Sequence, residues 1–340
     1  TVQKTFLFIT ATIFSISVTA QTSEPIFEEI IVTAEKRSES LQDLSQAITV
    51  LSGIDLDNRQ ISTFVDLSAI APGVNIAKNE GFKTVITIRG VGYETNQNAI
   101  ATPSVSYHLD GIYVASPYAL QTDFLDLERI EVLRGPQGTL FGQNSTGGAI
   151  NVITKAPTSD ATYGSADLTI GNYGLVKARA VINKPLSENL SLRASFISNT
   201  RDGFTENLSN GQDLDDADSV SARVRLKYEP SDTFRANFMA QVFDEDRNGA
   251  AQKGIIDPTP DPRQLRQNSP TEHKLEAELF SAVLEWDYEK YSIKSLTSYQ
   301  VDDILVRRDN DRNDLSFLPP FALLPSEYDP ETNKQTTVTQ

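Results

Sequence analysis

The sequence predicts a mixed α/β domain followed by antiparallel strands of a transmembrane β-barrel. Three observations support this fold class: an N-terminal export signal, alternating apolar and polar residues after residue 161, and connections that alternate between short and long. Alternation with period two gives each strand one apolar face and one polar face. A barrel in lipid needs this pattern because its outer face meets hydrocarbon and its lumen meets water.

The first twenty residues have the layout of a secretory signal peptide. Lys4 precedes an apolar stretch, residues 6–18, and small residues follow up to Ala20. The stretch is shorter than the ~20 residues that a membrane-spanning helix needs. We therefore expect export and cleavage after Ala20. Because the chain begins with Thr1, we also expect its natural start to lie further upstream.

Seven segments between residues 161 and 299 alternate in polarity. In VSARVRLKY, for example, Val220 and Val224 share one face, and Arg223 and Arg225 lie on the other. The connections NYG, PLSEN and EPSDT are short, whereas residues 201–219 and 244–279 form long ones. Short turns at one end and long loops at the other are typical of outer-membrane barrels. A secreted β-sandwich also alternates and stays open as an alternative.

Residues 158–340 form only part of a barrel on this interpretation. About seven strands cannot close in lipid without leaving an unpaired edge. The final segment, NKQTTVTQ, is typical of the start of another strand. We therefore expect that the natural protein continues beyond residue 340.

The composition excludes several function classes. The chain has no cysteine and two distant histidines, His108 and His273, which argues against a thiolate or multi-histidine metal centre. A net charge of −16 argues against nucleic-acid binding. The acidic run 213–218 lacks the glycine and terminal glutamate of a calcium loop. Asp244, Glu245 and Asp246 are interpreted as solvent-facing loop acids, so no enzyme, metal or cofactor site is predicted.

Residues 132–154 are rich in glycine, which raises the question of a phosphate-binding loop. Such a loop needs a lysine and a following helix. This segment has no lysine after Arg134 and continues into the strand-like GGAINVITK. We therefore interpret its glycines, with one upstream, as turn-forming residues of a β-rich domain. They are Gly90, Gly135, Gly138, Gly142, Gly147 and Gly148.

Several motifs in one order resemble a known family. The segment IEVLRGPQGTLFGQNSTGGAINVITK is similar to the end of the plug domain of TonB-dependent outer-membrane receptors. DLSAIAPGVNI, ITIRGVG and VSYHLDGIYV resemble other plug motifs, and EEIIVTA resembles the TonB box. The resemblance covers almost the whole chain. It implies a signal peptide (1–20), a periplasmic leader with the box (21–39), a plug (40–157) and the first strands of a barrel (158–340), which has 22 strands when complete.

The resemblance also implies roles for particular residues. The box would add a strand to TonB, through which the inner membrane supplies energy. Its residues are Glu28, Glu29, Ile30, Ile31, Val32, Thr33 and Ala34. Arg89 and Arg134 would hold the plug by meeting glutamates of later barrel strands. The open alternative is that these two arginines face the water-filled lumen.

The implied function is active import of a scarce ligand across the outer membrane of a Gram-negative bacterium. A ferric siderophore is the usual cargo of the family, with oligosaccharides, cobalamin, haem and nickel complexes as alternatives. Candidate contact segments surround Asn79, Tyr93, Asn96 and Asn98 in plug turns. The implied partners are TonB, outer-membrane lipid and the small ligand. Competing interpretations are a secreted binding or adhesion domain, a hydrolase and a passive porin.

Overall fold

The computed structural model describes residues 31–32, 39–40, 46–79, 83–92, 103–115, 124–309, 311–314 and 329–339. The predicted signal peptide lies outside the described residues. Two bodies follow each other along the chain: an inner domain, residues 46–154, and a wall, which we define as the sheet formed between residues 163 and 339. Within the described residues, no helix is long and apolar enough to cross a membrane.

The inner domain combines two small sheets with short helices. A short strand pair precedes it, formed by β1 (Ile31–Val32) and β2 (Glu39–Ser40). Its elements are β3 (Ile48–Ser52), α1 (Gly53–Asn58), a 3₁₀ turn (Val65–Ala69), β4 (Val74–Asn79), β5 (Lys83–Ile88), β6 (Val91–Gly92), β7 (Val105–Leu109), β8 (Ile112–Tyr113), β9 (Leu127–Arg134), α2 (Gly138–Phe141) and β10 (Gly148–Thr154). One sheet has the order β3-β9-β10-β7-β8, in which only β10 and β7 are parallel, and the other has the order β4-β5-β6.

An apolar core holds these elements together. Leu67, Ile88, Ile130 and Ile150 are fully buried between the two sheets and the short helices. Phe64 packs edge-on against its aromatic neighbours in the same core. Each such side chain contributes about 1.5–3 kcal/mol when it leaves water. The inner domain is therefore an ordinary globular body, with apolar residues inside.

The glycine-rich segment connects β9 to β10 without forming a phosphate cradle. Gly135 and Gly142 adopt left-handed φ values of 98° and 75°, and Gly138 begins α2. At Gly147 a Cβ atom would lie 2.9 Å from the carbonyl oxygen of Val91, and at Gly148 only 2.3 Å from that of Leu133. Real Cβ atoms do not approach so closely, so two of these glycines are required by close backbone packing. Gly90 follows β5 with a left-handed φ of 77°.

The remaining strands are either long or very short. In chain order they are β11 (Tyr163–Ile170), β12 (Val176–Ser187), β13 (Leu190–Arg201), β14 (Thr205–Asn207), β15 (Asp213–Leu214), β16 (Ala217–Ser231), β17 (Phe234–Arg247), β18 (Gln264–Leu265), β19 (Glu272–Asp287), β20 (Ser292–Arg308) and β21 (Asp329–Thr339). The wall has the order β11-β12-β13-β16-β17-β19-β20-β21, and every neighbouring pair is antiparallel. The seven predicted strands and the predicted start of an eighth are all present.

The wall is apolar on its outward face and polar on its inward face. Outward-facing side chains such as Ile170 and Phe238 are 73% and 44% exposed. Inward-facing Arg193 and Arg223 are each 4% exposed. A soluble sheet shows the reverse, because exposed apolar patches of this extent are unfavourable in water. The observed distribution confirms the predicted barrel strands and argues against the secreted β-sandwich.

The two long connections are shorter than predicted because the strands that they join are longer than predicted. They comprise residues 202–216 and 248–271, and β14, β15 and β18 join them in a small three-stranded sheet. Two side-chain amides reinforce this junction by pairing with the main chain of the other loop. Asn207 exchanges two hydrogen bonds with Gln267, and Gln212 does the same with Thr271, all at 3.0–3.1 Å.

Candidate functional site between the inner domain and the wall

Arginines of the wall hold the inner domain against the inward face. Arg193 of β13 binds both carboxylate oxygens of Asp126, through Nε at 2.6 Å and Nη2 at 2.7 Å. The Ser195 hydroxyl donates to the same carboxylate, and the Tyr163 hydroxyl accepts from Arg193. Both charged side chains are 5% exposed. A buried bidentate pair fixes position and orientation together.

The charge state of Asp126 is set by its partners. Burial would raise the pKa of this carboxyl group, but hydrogen bonds from Arg193 and Ser195 outweigh burial and lower the pKa below its ordinary value. Asp126 is therefore ionised at neutral pH. The pair acts as a charged anchor.

A second anchor lies where the inner domain continues into the wall. Asp110, in the tight turn between β7 and β8, accepts hydrogen bonds from the amide and the hydroxyl of Thr154 at 2.9 and 2.6 Å. Arg225 of β16 donates to the carbonyl oxygen of Thr154 at 2.9 Å, and its Nη1 lies 3.6 Å from Asp110. Asp110 and Gly111 both have left-handed φ values, 51° and 83°, as a type I′ turn requires.

Two further contacts use carbonyl oxygens of the inner domain. Arg223 of β16 donates to the carbonyl oxygen of Leu125 at 2.6 Å, and its Nε is held by Gln241 at 2.8 Å. Gln300 of β20 donates to the carbonyl oxygen of Tyr113 at 2.7 Å. The wall thus supplies donors, and the inner domain supplies carboxylates and carbonyls.

The side of the inner domain that carries α1 contacts the wall differently. Asp57 of α1 lies 3.0 Å from Nη1 of Arg179 on β12, and Asp167 of β11 lies 3.2 Å from Nε of the same arginine. The three side chains are 34–56% exposed. Beside them a cavity of about 530 Å³ separates α1 from strands β11 to β13. This contact is therefore an exposed ion pair beside a cavity large enough to hold water.

The structure places the predicted lock arginines at the surface of the inner domain. Arg89 is exposed, with a left-handed φ of 51°, and its amide donates to the carbonyl oxygen of Gly73. Arg134 donates to the carbonyl oxygens of Ala47, Ile48 and Pro72 at 3.3–3.5 Å. Within the described residues neither guanidinium group pairs with a carboxylate of the wall. The predicted lock stays a prediction, since its glutamates were expected beyond residue 340.

Most of the other predicted contact residues lie outside the described residues. Of the box, only Ile31 and Val32 are described, as the strand β1 paired with Ser40 and Glu39. Tyr93, Asn96 and Asn98 are outside the described residues. For Asn79 the structure describes the backbone, which ends β4.

The prediction of solvent-facing loop acids near residue 245 was wrong for Glu245, whereas Asp244 and Asp246 are exposed, although on a strand rather than a loop. Glu245 is buried in β17, facing inward, because that strand extends four residues beyond Phe243. Its carboxylate lies 3.2 Å from Nδ1 of His273 and 3.1 Å from Nε of Arg247. In the described part of the chain, no group of three or more His, Asp or Glu side chains is placed to hold a metal ion.

The anchoring residues were not singled out in the sequence. Asp126 is a turn residue that nothing local marks, and the Asp–Gly pair at Asp110 in the motif VSYHLDGIYV indicates only a tight turn. The arginines did carry a signal, because Arg179, Arg193 and Arg225 occupy the polar face of alternating strands where a lumen wall needs no charge. A charged residue on that face needs a partner where it becomes buried, either on the wall itself or inside the barrel.

Comparisons with known proteins agree on one family. The TonB-dependent Receptor Plug Domain model matches residues 40–149. The pesticin receptor of Yersinia pestis is 28% identical over 80% of this chain and 43% of its own length. The iron-regulated outer membrane virulence protein of Vibrio cholerae is 26% identical over 69% of this chain and 37% of its own.

Solved structures show the same fold. The ferric yersiniabactin uptake receptor FyuA of Yersinia pestis matches with a TM-score of 0.70 at 21% identity, covering 77% of this chain and 42% of FyuA. The ferripyoverdine receptor of Pseudomonas aeruginosa matches with a TM-score of 0.68 at 17% identity, covering 81% and 37%. The chain thus spans less than half the length of these relatives. The plug model matches most of the inner domain, which is called the plug from here on, and the chain is similar to TonB-dependent receptors.

Proposed function

We propose that this chain is part of an outer-membrane receptor that imports a ferric siderophore with energy supplied through TonB. The observation that carries the proposal is a plug bound to the polar inward face of a wall whose outward face is apolar. A passive porin needs no such plug. A hydrolase or an adhesion domain needs no wall that exposes side chains such as Phe238 to lipid.

The names of the relatives support iron as the cargo. They include an iron-regulated virulence protein, a ferric enterobactin receptor of Pseudomonas aeruginosa at 28% identity and the yersiniabactin receptor described above. One relative, the vitamin B12 transporter BtuB of Vibrio vulnificus, is 24% identical and favours cobalamin as the second candidate. These relatives are receptors and transporters rather than enzymes.

The box, residues 28–34, supplies the coupling in this proposal. Ile31 and Val32 pair with only two residues, Ser40 and Glu39, in the described part of the chain. A two-residue ladder is weak by itself, so a strand of TonB can replace β2 as the partner of β1. In the same proposal Arg89 and Arg134 meet glutamates of later strands, and the segments around Asn79, Tyr93, Asn96 and Asn98 contact the ligand.

Deleting residues 28–34 from the full-length receptor tests the proposal. Cells that carry the intact or the deleted receptor are offered radioactive iron bound to yersiniabactin, pyoverdine or enterobactin, with labelled cobalamin as a separate arm. We expect the intact receptor to bind and import one ferric complex, and the deleted receptor to bind it without import. Import that survives the deletion would contradict TonB coupling. Import of cobalamin alone would show that the cargo is cobalamin and not a ferric siderophore.

Membrane extraction supplies an independent test of location. We expect the full-length protein to stay in the outer membrane during a urea wash and to dissolve only in detergent, because its outward face is apolar. Release by urea alone would instead indicate a secreted adhesion domain.

A further inference from the structure

The cavity beside α1 is a large space between the plug and the wall. Its volume is about 530 Å³, against about 50 Å³ for the cavity between the plug core and strands β16 to β20. One side is formed by α1 and the turn that follows it, and the other by the inward face of β11, β12 and β13. The plug therefore leaves one side of the described wall largely uncovered.

About half of the lining of this cavity is polar, and that half carries both charge signs. Three aspartates and four cationic residues contribute to it: Asp57, Asp126, Asp167, Lys155, Lys177, Arg179 and Arg193. A space of this size and polarity holds a cluster of water molecules. Mixed charges offer hydrogen bonds to a polar solute without binding one sign of charge tightly.

The plug is fixed at one end of this cavity, where Asp126, Lys155 and Arg193 belong to its lining. The Asp110 and Arg225 contacts adjoin Thr154 and Lys155, where the plug continues covalently into the wall. Asp126 is also tied to this point, since its carbonyl oxygen accepts the amide of Lys155 at 3.0 Å. These contacts are buried, so separating them would leave charges without partners inside the protein.

On the α1 side, the plug is joined to the wall by an ion pair that can separate. Asp57 is 56% exposed, so water can solvate its carboxylate after separation. Arg179 keeps a partner as well, because Asp167 binds its Nε while Asp57 binds its Nη1. Opening this contact leaves no buried charge unpaired.

We propose that the import path opens between α1 and strands β11 to β13, and that the Asp57–Arg179 pair is the latch that closes it. The inference rests on the import function proposed above. In this mechanism the α1 side of the plug moves away from the wall while the anchors at Asp126 and Asp110 stay in place. The polar solute then passes along the mixed-charge surface of the existing cavity.

Crosslinking across the cavity tests the path. The full-length receptor would carry Asp57→Cys with Arg179→Cys, joined by a short bis-maleimide because an aspartate paired with a long arginine side chain spans more than a disulfide can. This chain has no cysteine of its own. The matched control carries Thr158→Cys with Asn183→Cys, which also joins a preceding segment to β12 but lies at the covalent connection. We expect the first crosslink to abolish uptake of the ferric complex while surface binding remains, and the control crosslink to change neither.

A second measurement does not depend on the cargo. Purified full-length receptor in a planar bilayer is titrated with urea, which loosens the plug and opens a conducting pore. We expect the Asp57–Arg179 crosslink to shift the opening to higher urea and the control crosslink to leave it unchanged. If the uncrosslinked receptor imports none of the ferric complexes, the proposed cargo is wrong and the bilayer result decides the path. If uptake and conductance both persist in the crosslinked receptor, the path lies elsewhere and the import function stands.

Discussion

In the plug, Ile130 and Ile150 are fully buried, whereas in the wall Ile170 is 73% exposed and Arg193 is 4% exposed. Both bodies are built largely from strands, but the central strands of the plug are buried on both faces, whereas those of the wall alternate. The difference lies in the medium that each outer face meets. The plug folds against water and hides its apolar groups, whereas the wall presents them to lipid and turns its polar groups toward the plug.

The contact between the two bodies is polar for the same reason. A lumen wall with arginines needs partners, and the plug supplies the carboxylates of Asp110 and Asp126 together with main-chain oxygens. The interface is therefore strong where the charges are buried and weak where they are exposed. Substitutions at the buried contacts and at the exposed contact are therefore expected to destabilise the docked plug by different amounts.

The largest expected effect is at the buried anchor. Arg193→Met leaves the carboxylate of Asp126 buried without its cation, which destabilises the docked plug by about 3–5 kcal/mol. The exposed equivalent, Arg179→Met, should change the same quantity by about 0–1 kcal/mol. The measurement is the urea midpoint at which trypsin cuts the plug of the full-length receptor in lipid. Equal midpoints for the two variants would refute the distinction between anchor and latch.

The next prediction compares the same charge on the two faces of β17. Phe238→Arg places a charge on the lipid face of β17 and should destabilise the barrel by about 2–4 kcal/mol. Asn237→Arg, one residue earlier, places the same charge on the inward face and should be tolerated. Folding yield into lipid vesicles, read from the mobility shift of the folded barrel on gels, compares them. Equal yields would show that the outward face of β17 does not meet lipid.

The sequence predicted the wall better than the plug contacts. Alternation is a local property, so residues such as Val220, Arg223 and Val224 indicate their faces without knowledge of the fold. Strand ends were less predictable, because Glu245 continues β17 in a run that also has the composition of a loop. The family motifs predicted the plug because its glycines, such as Gly147 and Gly148, are required by close backbone contacts.

The anchors could not be predicted because they join distant positions. Asp126 and Arg193 are separated by 67 residues, and Asp57 and Arg179 by 122. Each carboxylate is an ordinary turn or helix residue until the wall brings an arginine to it. One sequence alone carries no information about such pairs, apart from the arginines on the polar face.

A further prediction, with a smaller expected effect, compares the same substitution in the plug and in the wall. Ile130→Val removes one buried methylene group from the plug core and should destabilise the plug by about 0.5–1.5 kcal/mol. Ile170→Val on the lipid face of β11 should leave the plug unchanged, since that side chain is 73% exposed. The urea midpoint of trypsin cleavage again reports the plug. A shift for Ile170→Val as large as that for Ile130→Val would indicate that the two bodies unfold as one unit.

The smallest expected effect is a pH dependence of the outer loops, where Asp309 behaves opposite to the anchor Asp126. Burial and the neighbouring Asp311 carboxylate raise the pKa of Asp309 to about 6, although the amides of Ser269 and Arg312 donate to it. A raised pKa means that the folded loop favours the protonated form. Its contribution to stability is complete below the ordinary aspartate pKa and is lost as pH rises through about 6.

Hydrogen exchange of the amides of Ser269 and Arg312 in the full-length receptor measures this dependence. After correction for the intrinsic effect of pH on exchange, protection should be greater at pH 5 than at pH 7. Asp309→Asn, which is neutral at both values, should remove the difference. For Asp126 the sign is reversed, because its lowered pKa contributes stability above the ordinary value and loses it only in stronger acid. Loop protection that rises between pH 5 and pH 7 would show that Asp309 is held as the carboxylate, as Asp126 is.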